Sequence, residues 1–190
     1  MKLNNGRMQI EIADLGAELM HIQDTKYDRE LLWNGDAAYW KRRSPVLFPN
    51  VGKTYGNVMR INGKEYPTSQ HGFARDMIFI PEESGEDFAQ YLLEAGDATK
   101  LRYPGEFALR IRYEIRENVL KVIWKVENHG SEAMPFTIGG HPAFCFGENE
   151  TKADYKLFFP GMAAWLIIVL SVFGSVGIAR VFFGMEKKKA

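Results

Sequence analysis

Residues 107–127 read FALRIRYEIRENVLKVIWKVE, and this stretch decides the fold class. Apolar and charged residues alternate on both sides of Asn118. In an extended chain successive side chains point to opposite faces. Phe107, Leu109, Ile111, Tyr113 and Ile115 therefore share one face, and Ala108, Arg110, Arg112, Glu114 and Arg116 share the other. Leu120, Val122, Trp124 and Val126 repeat the pattern on the way back. The expectation is a long hairpin with one face buried and one face wet.

Shorter signals of the same kind lie at residues 8–12, 19–22, 77–80 and 88–94. Turn-forming stretches such as 82–87 and 96–99 separate them. The class is all-β and antiparallel, with few or no helices. No repeat of fixed period and no low-complexity linker interrupts the chain, so residues 1–159 are expected to form one unit, with residues 160–190 as a separate tail.

Composition narrows the partners. Of 190 residues, 24 are basic and 24 acidic, for a formal net charge of zero. The attraction that carries non-specific nucleic-acid binding thus has no source, and no nucleic-acid partner is expected. The single cysteine, Cys145, cannot form an internal disulfide or a thiolate zinc cluster. The N-terminal MKLNNGRMQIEIADLG has no continuous apolar core of the kind a secretion signal needs, so a cytoplasmic location is the expectation. Residues 157–179, LFFPGMAAWLIIVLSVFGSVGIA, are free of charge and are followed by Arg180 and by Lys187, Lys188 and Lys189. A bilayer core takes about 20 apolar helical residues, and residues 161–179 nearly reach that length. Membrane association through this segment is one expectation. A buried helix or strand pair is the other, since Pro160, Gly161, Gly174 and Gly177 break the run.

Two segments depart from strand alternation and concentrate unusual residues. Residues 44–75 contain SPVLFPNVGK and SQHGFARD, and residues 134–146 read MPFTIGGHPAFCF. Each sets a histidine beside glycine, which allows a sharp turn and lets an imidazole point into a cleft, an arrangement suited to proton transfer. His71 is followed within five residues by Phe73, Arg75 and Asp76, so an imidazole, a ring and a guanidinium sit together. A loop histidine also serves as a structural hydrogen-bonder, and from the residues alone both uses stand.

Taken together, GAEL at 16–19, LLWNGD at 31–36, SPVLFPNVGK at 44–53, NGKEY at 62–66, QHGFARD at 70–76 and MPFTIGGHPAF at 134–144 resemble the aldose 1-epimerase (galactose mutarotase-like) family. The resemblance is nearest to its LacX-like subgroup, related to the hexose-6-phosphate epimerases, and covers about residues 3–159. It implies an antiparallel β-sandwich of the galactose mutarotase-like (supersandwich) type, here incomplete. It further implies a small-molecule sugar or sugar phosphate in an open cleft, and chemistry without metal or organic cofactor. The implied reaction interconverts the α and β anomers of a hexose or hexose phosphate: a base takes the proton of the anomeric hydroxyl while an acid protonates the ring oxygen. By motif position His141 is similar to the family's general acid, and His71 to the second histidine near the reacting carbon. Arg75, and Lys53 where relatives often carry arginine, are similar to the cations that hold the sugar or its phosphate. Phe73 and Phe144 take substrate-contact roles by the same reasoning. For Arg75 and Lys53 an ion pair with Asp76 or a solvated side chain is the competing reading.

The resemblance also implies a general base supplied by a glutamate in a later part of the fold, whereas this sequence leaves the pattern near Phe159. The YPGEF at 103–107 imitates a base motif, but it precedes the hairpin, and Glu106 is read as a surface turn residue. A non-catalytic carbohydrate-binding or membrane-tethered fragment is accordingly the alternative to an active mutarotase. His21 and His129 are expected to be exposed, and Cys145 to be a small core residue rather than a nucleophile. Trp33, Tyr39 and Trp40 could stack on a sugar face, with core packing as the commoner use. No H-x-H or H-x-x-x-H spacing supports a metal site.

Overall fold

The long hairpin forms over its whole length. In the computed structural model, which describes residues 1–158, 169–170, 177–180 and 184–187, its arms pair residue for residue from Phe107↔Asn128 to Arg116↔Val119. Glu117 turns the chain in the left-handed region at φ +51°. Phe107, Leu109, Ile111, Tyr113 and Ile115 are buried, as the alternation requires, and Trp124 and Val126 are buried beside them.

In chain order the first strands are β1 (Lys2–Asn4), β2 (Met8–Ile12), β3 (Leu19–Asp24) and β4 (Arg29–Glu30), which form one antiparallel sheet in that order. The next are β5 (Val46–Leu47), the hairpin β6 (Val58–Ile61) and β7 (Lys64–Pro67), then β8 (Ile80–Ser84) and β9 (Phe88–Glu94). A one-turn helix α1 (Asp97–Lys100) precedes the long hairpin, β10 (Phe107–Arg116) and β11 (Val119–Asn128). Short strands β12 (Phe136–Thr137), β13 (Gly139–Gly140) and β14 (Tyr155–Phe158) follow. The second large sheet runs β11, β10, β9, β8, with Gly177–Arg180 paired on the outer edge of β11.

The two large sheets bury alternate residues against each other: Met8, Ile10, Ile12, Leu19 and Ile22 from the first, Ala89, Tyr91, Leu93, Leu109 and Ile111 from the second. The Tyr113 hydroxyl bridges the layers by donating to the Ala17 carbonyl at 2.7 Å. This is the expected antiparallel sandwich. Its outer face carries charge in matched rows. Arg110 binds Glu82 and Glu127, and Arg112 binds Glu114 and Glu83.

Two boundaries differ from expectation. The strand expected at 77–80 begins instead at Ile80 and runs through Ser84, into the stretch read as a turn. Gly16 N–H donates to Met77 O and Phe79 N–H to Asp14 O, so residues 77–79 are drawn toward the first sheet. Glu82 and Glu83 are then accommodated in the second sheet by the arginines of β10. The turn at 96–99 becomes part of α1, whose first turn closes when Gly96 N–H donates to Thr99 Oγ1 at 2.9 Å. The NGK of residues 62–64 makes the β6–β7 hairpin, with Asn62 and Gly63 at φ +50° and +75° as a tight two-residue turn demands.

The membrane-span expectation at 161–179 falls largely outside the described residues. Its described parts are strand: Val169–Leu170 pairs with β12, and Gly177–Arg180 with β11. Among the described residues no helix is long and apolar enough to cross a membrane.

Candidate active site

Residues 45–52 form the rod on which both histidine loops are mounted. On one side Gly140 and Gly139 pair with Val46 and Leu47, and His141 N–H donates to Pro45 O at 3.1 Å. On the other side Phe73 N–H and Ala74 N–H both donate to Phe48 O, at 3.0 and 3.1 Å, and His71 N–H donates to Gly52 O at 2.9 Å. The two imidazoles are thereby brought face to edge, with ring centroids 5.9 Å apart and planes at 66°.

The close approach rests on Gly72. Its φ is +72°, and a Cβ there would stand 2.1 Å from Phe48 O, so no side chain fits between loop and rod. His71 itself is held at φ +69°. Asn50 Nδ2 ties the two together by donating to Gly52 O at 3.0 Å and Ser69 O at 3.1 Å. Arg102 donates to Ser69 Oγ at 2.8 Å from the far side.

His71 has a fixed tautomer. Gly52 N–H donates to its Nδ1 at 3.0 Å, which makes Nδ1 an acceptor and puts the ring proton on Nε2. The Gln70 side-chain amide lies 3.3 Å from Nε2, and this tautomer calls for the amide oxygen there. Burial lowers the His71 pKa from its ordinary value, and the nearby charges of Arg75 and His141 lower it further. The residue is a neutral hydrogen-bond donor.

His141 is exposed, and among the described residues its side chain makes no hydrogen bond. Its ring instead lies against Trp40, centroids 5.0 Å apart at 45°. The pair thus joins a hydrogen-bonded imidazole to an exposed one whose ring nitrogens have no partner among the described residues.

Arg75 braces the His71 loop. Its Nη2 donates to Gln70 O at 2.7 Å, and its Nε lies 3.8 Å from Asp76. Burial lowers its pKa, and the adjacent Arg42 adds to this. Arg42 is shared between Asp76 and Glu18, so the two guanidiniums face two carboxylates. Lys53 is exposed and makes no hydrogen bond or ion pair among the described residues.

The two phenylalanines are placed differently, Phe73 in the core and Phe144 on a cavity that also reaches Gly140 and Pro142 on either side of His141. Phe73 is 2% exposed and packs edge-on against Phe48 at 6.4 Å, with the Arg102 guanidinium 5.2 Å from its ring centre. It is a core residue, and a fully apolar ring gains more there than on a polar sugar. Phe144 lines an apolar cavity of about 340 Å³ with Leu31, Val46, Leu120, Val122 and Trp124.

Other candidates resolve simply. Glu106 is exposed and ion-paired with Lys100 at 2.7 Å, in keeping with a surface turn. His129 is exposed. His21, expected in the open, is instead half-buried between Glu30 at 2.8 Å and Arg43 at 3.1 Å, because β4 folds back beside β3. Cys145 donates to Leu32 O at 3.1 Å, and burial raises its pKa, which suits an inert thiol. Among the described residues no group of three or more His, Cys, Asp or Glu is gathered as for a metal ion.

Sequence reasoning missed the rod's own contribution, the Gly52 N–H, since a backbone donor leaves no mark in residue type. It also left Trp40 undecided between core and site. The motif residues 16–18 prove structural: a Cβ on Gly16 would meet Arg75 O at 2.8 Å, and Glu18 accepts from Arg43 N–H and Ser44 N–H at 2.7 and 3.0 Å. GAEL therefore buttresses the base of both the rod and the His71 loop.

Comparison with known proteins agrees with the fold. The family model for aldose 1-epimerase matches residues 1–164. The plasmid and chromosomal LacX proteins of Lactococcus lactis subsp. lactis are each 31% identical over 167 residues, which cover 84% of this chain and 56% of theirs. Among solved structures, the galactose mutarotase related enzyme of Lactobacillus acidophilus superposes with a TM-score of 0.79 at 32% identity, over 85% of this chain and 54% of that one. A galactose mutarotase-like protein of Lactobacillus casei gives 0.79 at 32% identity, over 86% and 56%. The chain spans about half the length of the relatives it matches. On the family model, the LacX likeness and the shared fold, this chain belongs to the aldose 1-epimerase family.

Proposed function

We propose that the chain binds a hexose or hexose phosphate at the His71–His141 cleft and carries the acid side of an anomer interconversion. The observation that supports this most is the pair itself, two imidazoles with ring centroids 5.9 Å apart, one hydrogen-bonded to a main-chain amide and one exposed. His141, open to solvent, gives its proton to the ring oxygen as the bond from that oxygen to the anomeric carbon breaks. His71 Nε2–H exchanges the Gln70 amide for a neighbouring hydroxyl oxygen of the sugar and holds the ring in place. A base from outside the pair takes the anomeric hydroxyl proton, which leaves an open-chain aldehyde; this turns about the adjacent bond and closes on its other face as His141 takes its proton back from the ring oxygen and the base returns the other to the former carbonyl oxygen. Lys53, exposed and unpaired among the described residues and next in the chain to Gly52, would supply the cation for a phosphate.

Among the described residues no carboxylate is hydrogen-bonded or ion-paired to either imidazole, so the base comes to the pair from elsewhere. That observation favours a second reading, in which the chain binds sugar without turning it over. Polarimetry of freshly dissolved α-glucose, α-galactose and their 6-phosphates separates the two. Under the first reading the full chain speeds relaxation, and His141→Ala loses about 100-fold or more of that rate, as removal of a general acid should. Under the second, tryptophan fluorescence shows saturable binding while the relaxation rate stays at the buffer value. Neither binding nor acceleration from a folded sample refutes both.

A further inference from the structure

We infer that Trp40 is a positioning residue for His141, a clamp that holds an otherwise unattached imidazole opposite His71. The role rests on the acid assignment above, but the geometry can be tested without it. The His141 side chain makes no hydrogen bond among the described residues, and its ring neighbours are Trp40 at 5.0 Å and His71 at 5.9 Å. An exposed side chain without a partner spreads over its rotamers. A large ring against one face removes that freedom.

The main chain of Trp40 is held in a fixed frame. Its N–H donates to Asp36 O at 2.9 Å, and its carbonyl accepts Trp33 Nε1–H at 2.7 Å. The loop carrying it is stitched to the His141 segment at both ends, by Trp33 N–H to Ala143 O at 2.9 Å and Ala143 N–H to Arg43 O at 2.8 Å. These bonds hold loop 33–43 beside residues 141–143, where the Trp40 indole meets the His141 ring with centroids 5.0 Å apart. The indole side leaves the two ring nitrogens of His141 unengaged, which a hydrogen-bonding partner would not. The clamp fixes orientation and keeps the proton available.

The test uses the full chain with Trp40→Leu and Trp40→Phe. By NMR, the wild-type protein should show nuclear Overhauser contacts from the His141 ring to both Trp40 and His71, and a His141 Cε1–H displaced by the indole ring current. Trp40→Leu should lose the His141–His71 contact while keeping that between His71 and Gly52, which reports an intact loop. Trp40→Phe, which retains a ring face, should keep both. Survival of the His141–His71 contact in Trp40→Leu overturns the inference. Where the chain accelerates mutarotation, Trp40→Leu should lower kcat about tenfold or more with KM within about twofold, and Trp40→Phe should recover most of it. A rise in KM at unchanged kcat makes Trp40 a sugar-stacking surface and also overturns it. A chain without mutarotase activity defeats the functional reading, and the NMR contacts then decide the clamp alone.

Discussion

The amide of Gly52 and Nδ1 of His71, 3.0 Å apart, settle the chemistry of one imidazole with a main-chain group. A donor at Nδ1 is compatible with the neutral ring and opposes the imidazolium, in which both nitrogens carry protons. Burial acts in the same direction.

His71 should therefore titrate below the ordinary imidazole value of 6.5, as an Nε2–H tautomer. Between its folded pKa and 6.5 the unfolded chain holds more protons than the folded one, so stability rises with pH across that window. The contribution is complete above 6.5 and is lost as pH falls through the folded value. Nitrogen-15 spectra of the ring through a pH series give both tautomer and midpoint; a midpoint at or above 6.5 contradicts the assignment.

Gly72→Ala should be among the most damaging single changes in the chain. The added carbon would overlap Phe48 O at 2.1 Å and Phe48 C at 2.3 Å, in backbone held at φ +72°. A loss of about 3 kcal/mol or more, or failure to fold, is expected from a clash with main chain that cannot move aside. Urea denaturation of the variant beside Gly52→Ala, where an added Cβ meets nothing within 4 Å, separates packing from backbone strain.

Phe73→Leu should weaken the core and spare the ligand. The ring is 2% exposed among Phe48 and Phe107, so the expected cost is about 1–2 kcal/mol in urea denaturation. Sugar affinity of the folded variant should stay within about twofold. A large loss of affinity without loss of stability would return Phe73 to the cleft.

The charged outer face should show in acid. Arg110 holds the Glu82 carboxyl below the usual carboxylate range, Arg112 does so for Glu114, and Lys125 for Glu127. Their stabilisation is present above 4.5 and is lost as pH falls through the lowered values. Arg110→Met should cost about 0.5–1 kcal/mol at pH 7, less in high salt, and shrink the acid-dependent part of a thermal denaturation series.

What the sequence discloses depends on how local the cause is. The β10–β11 hairpin is legible because each strand states its own buried face, and pairing follows from the alternation. The start of β8 is not, since Glu82 and Glu83 become strand residues only through arginines about 30 positions later. Both histidines stand out by their glycine neighbours, but the direction of the ring proton on His71 is written by a backbone amide that every residue type shares. Phe73 misleads for a related reason. Its position inside QHGFARD marks the loop, while its burial is decided by Phe48 and Phe107 from distant parts of the chain.

The mounting of both loops on residues 45–52 has a consequence during synthesis. Val46 and Leu47 find their partners only at Gly140 and Gly139, roughly 90 residues later, and at a translation speed of about 5–20 residues per second that is a wait of about 5–20 s. Throughout it, an apolar VLF stretch emerges from the ribosome ahead of the strand that will cover its edge. The His71 side of the rod can close first, because its sequence follows within about 25 residues; the His141 side closes last. The nascent chain thus completes the His71 side of the pair before the His141 side.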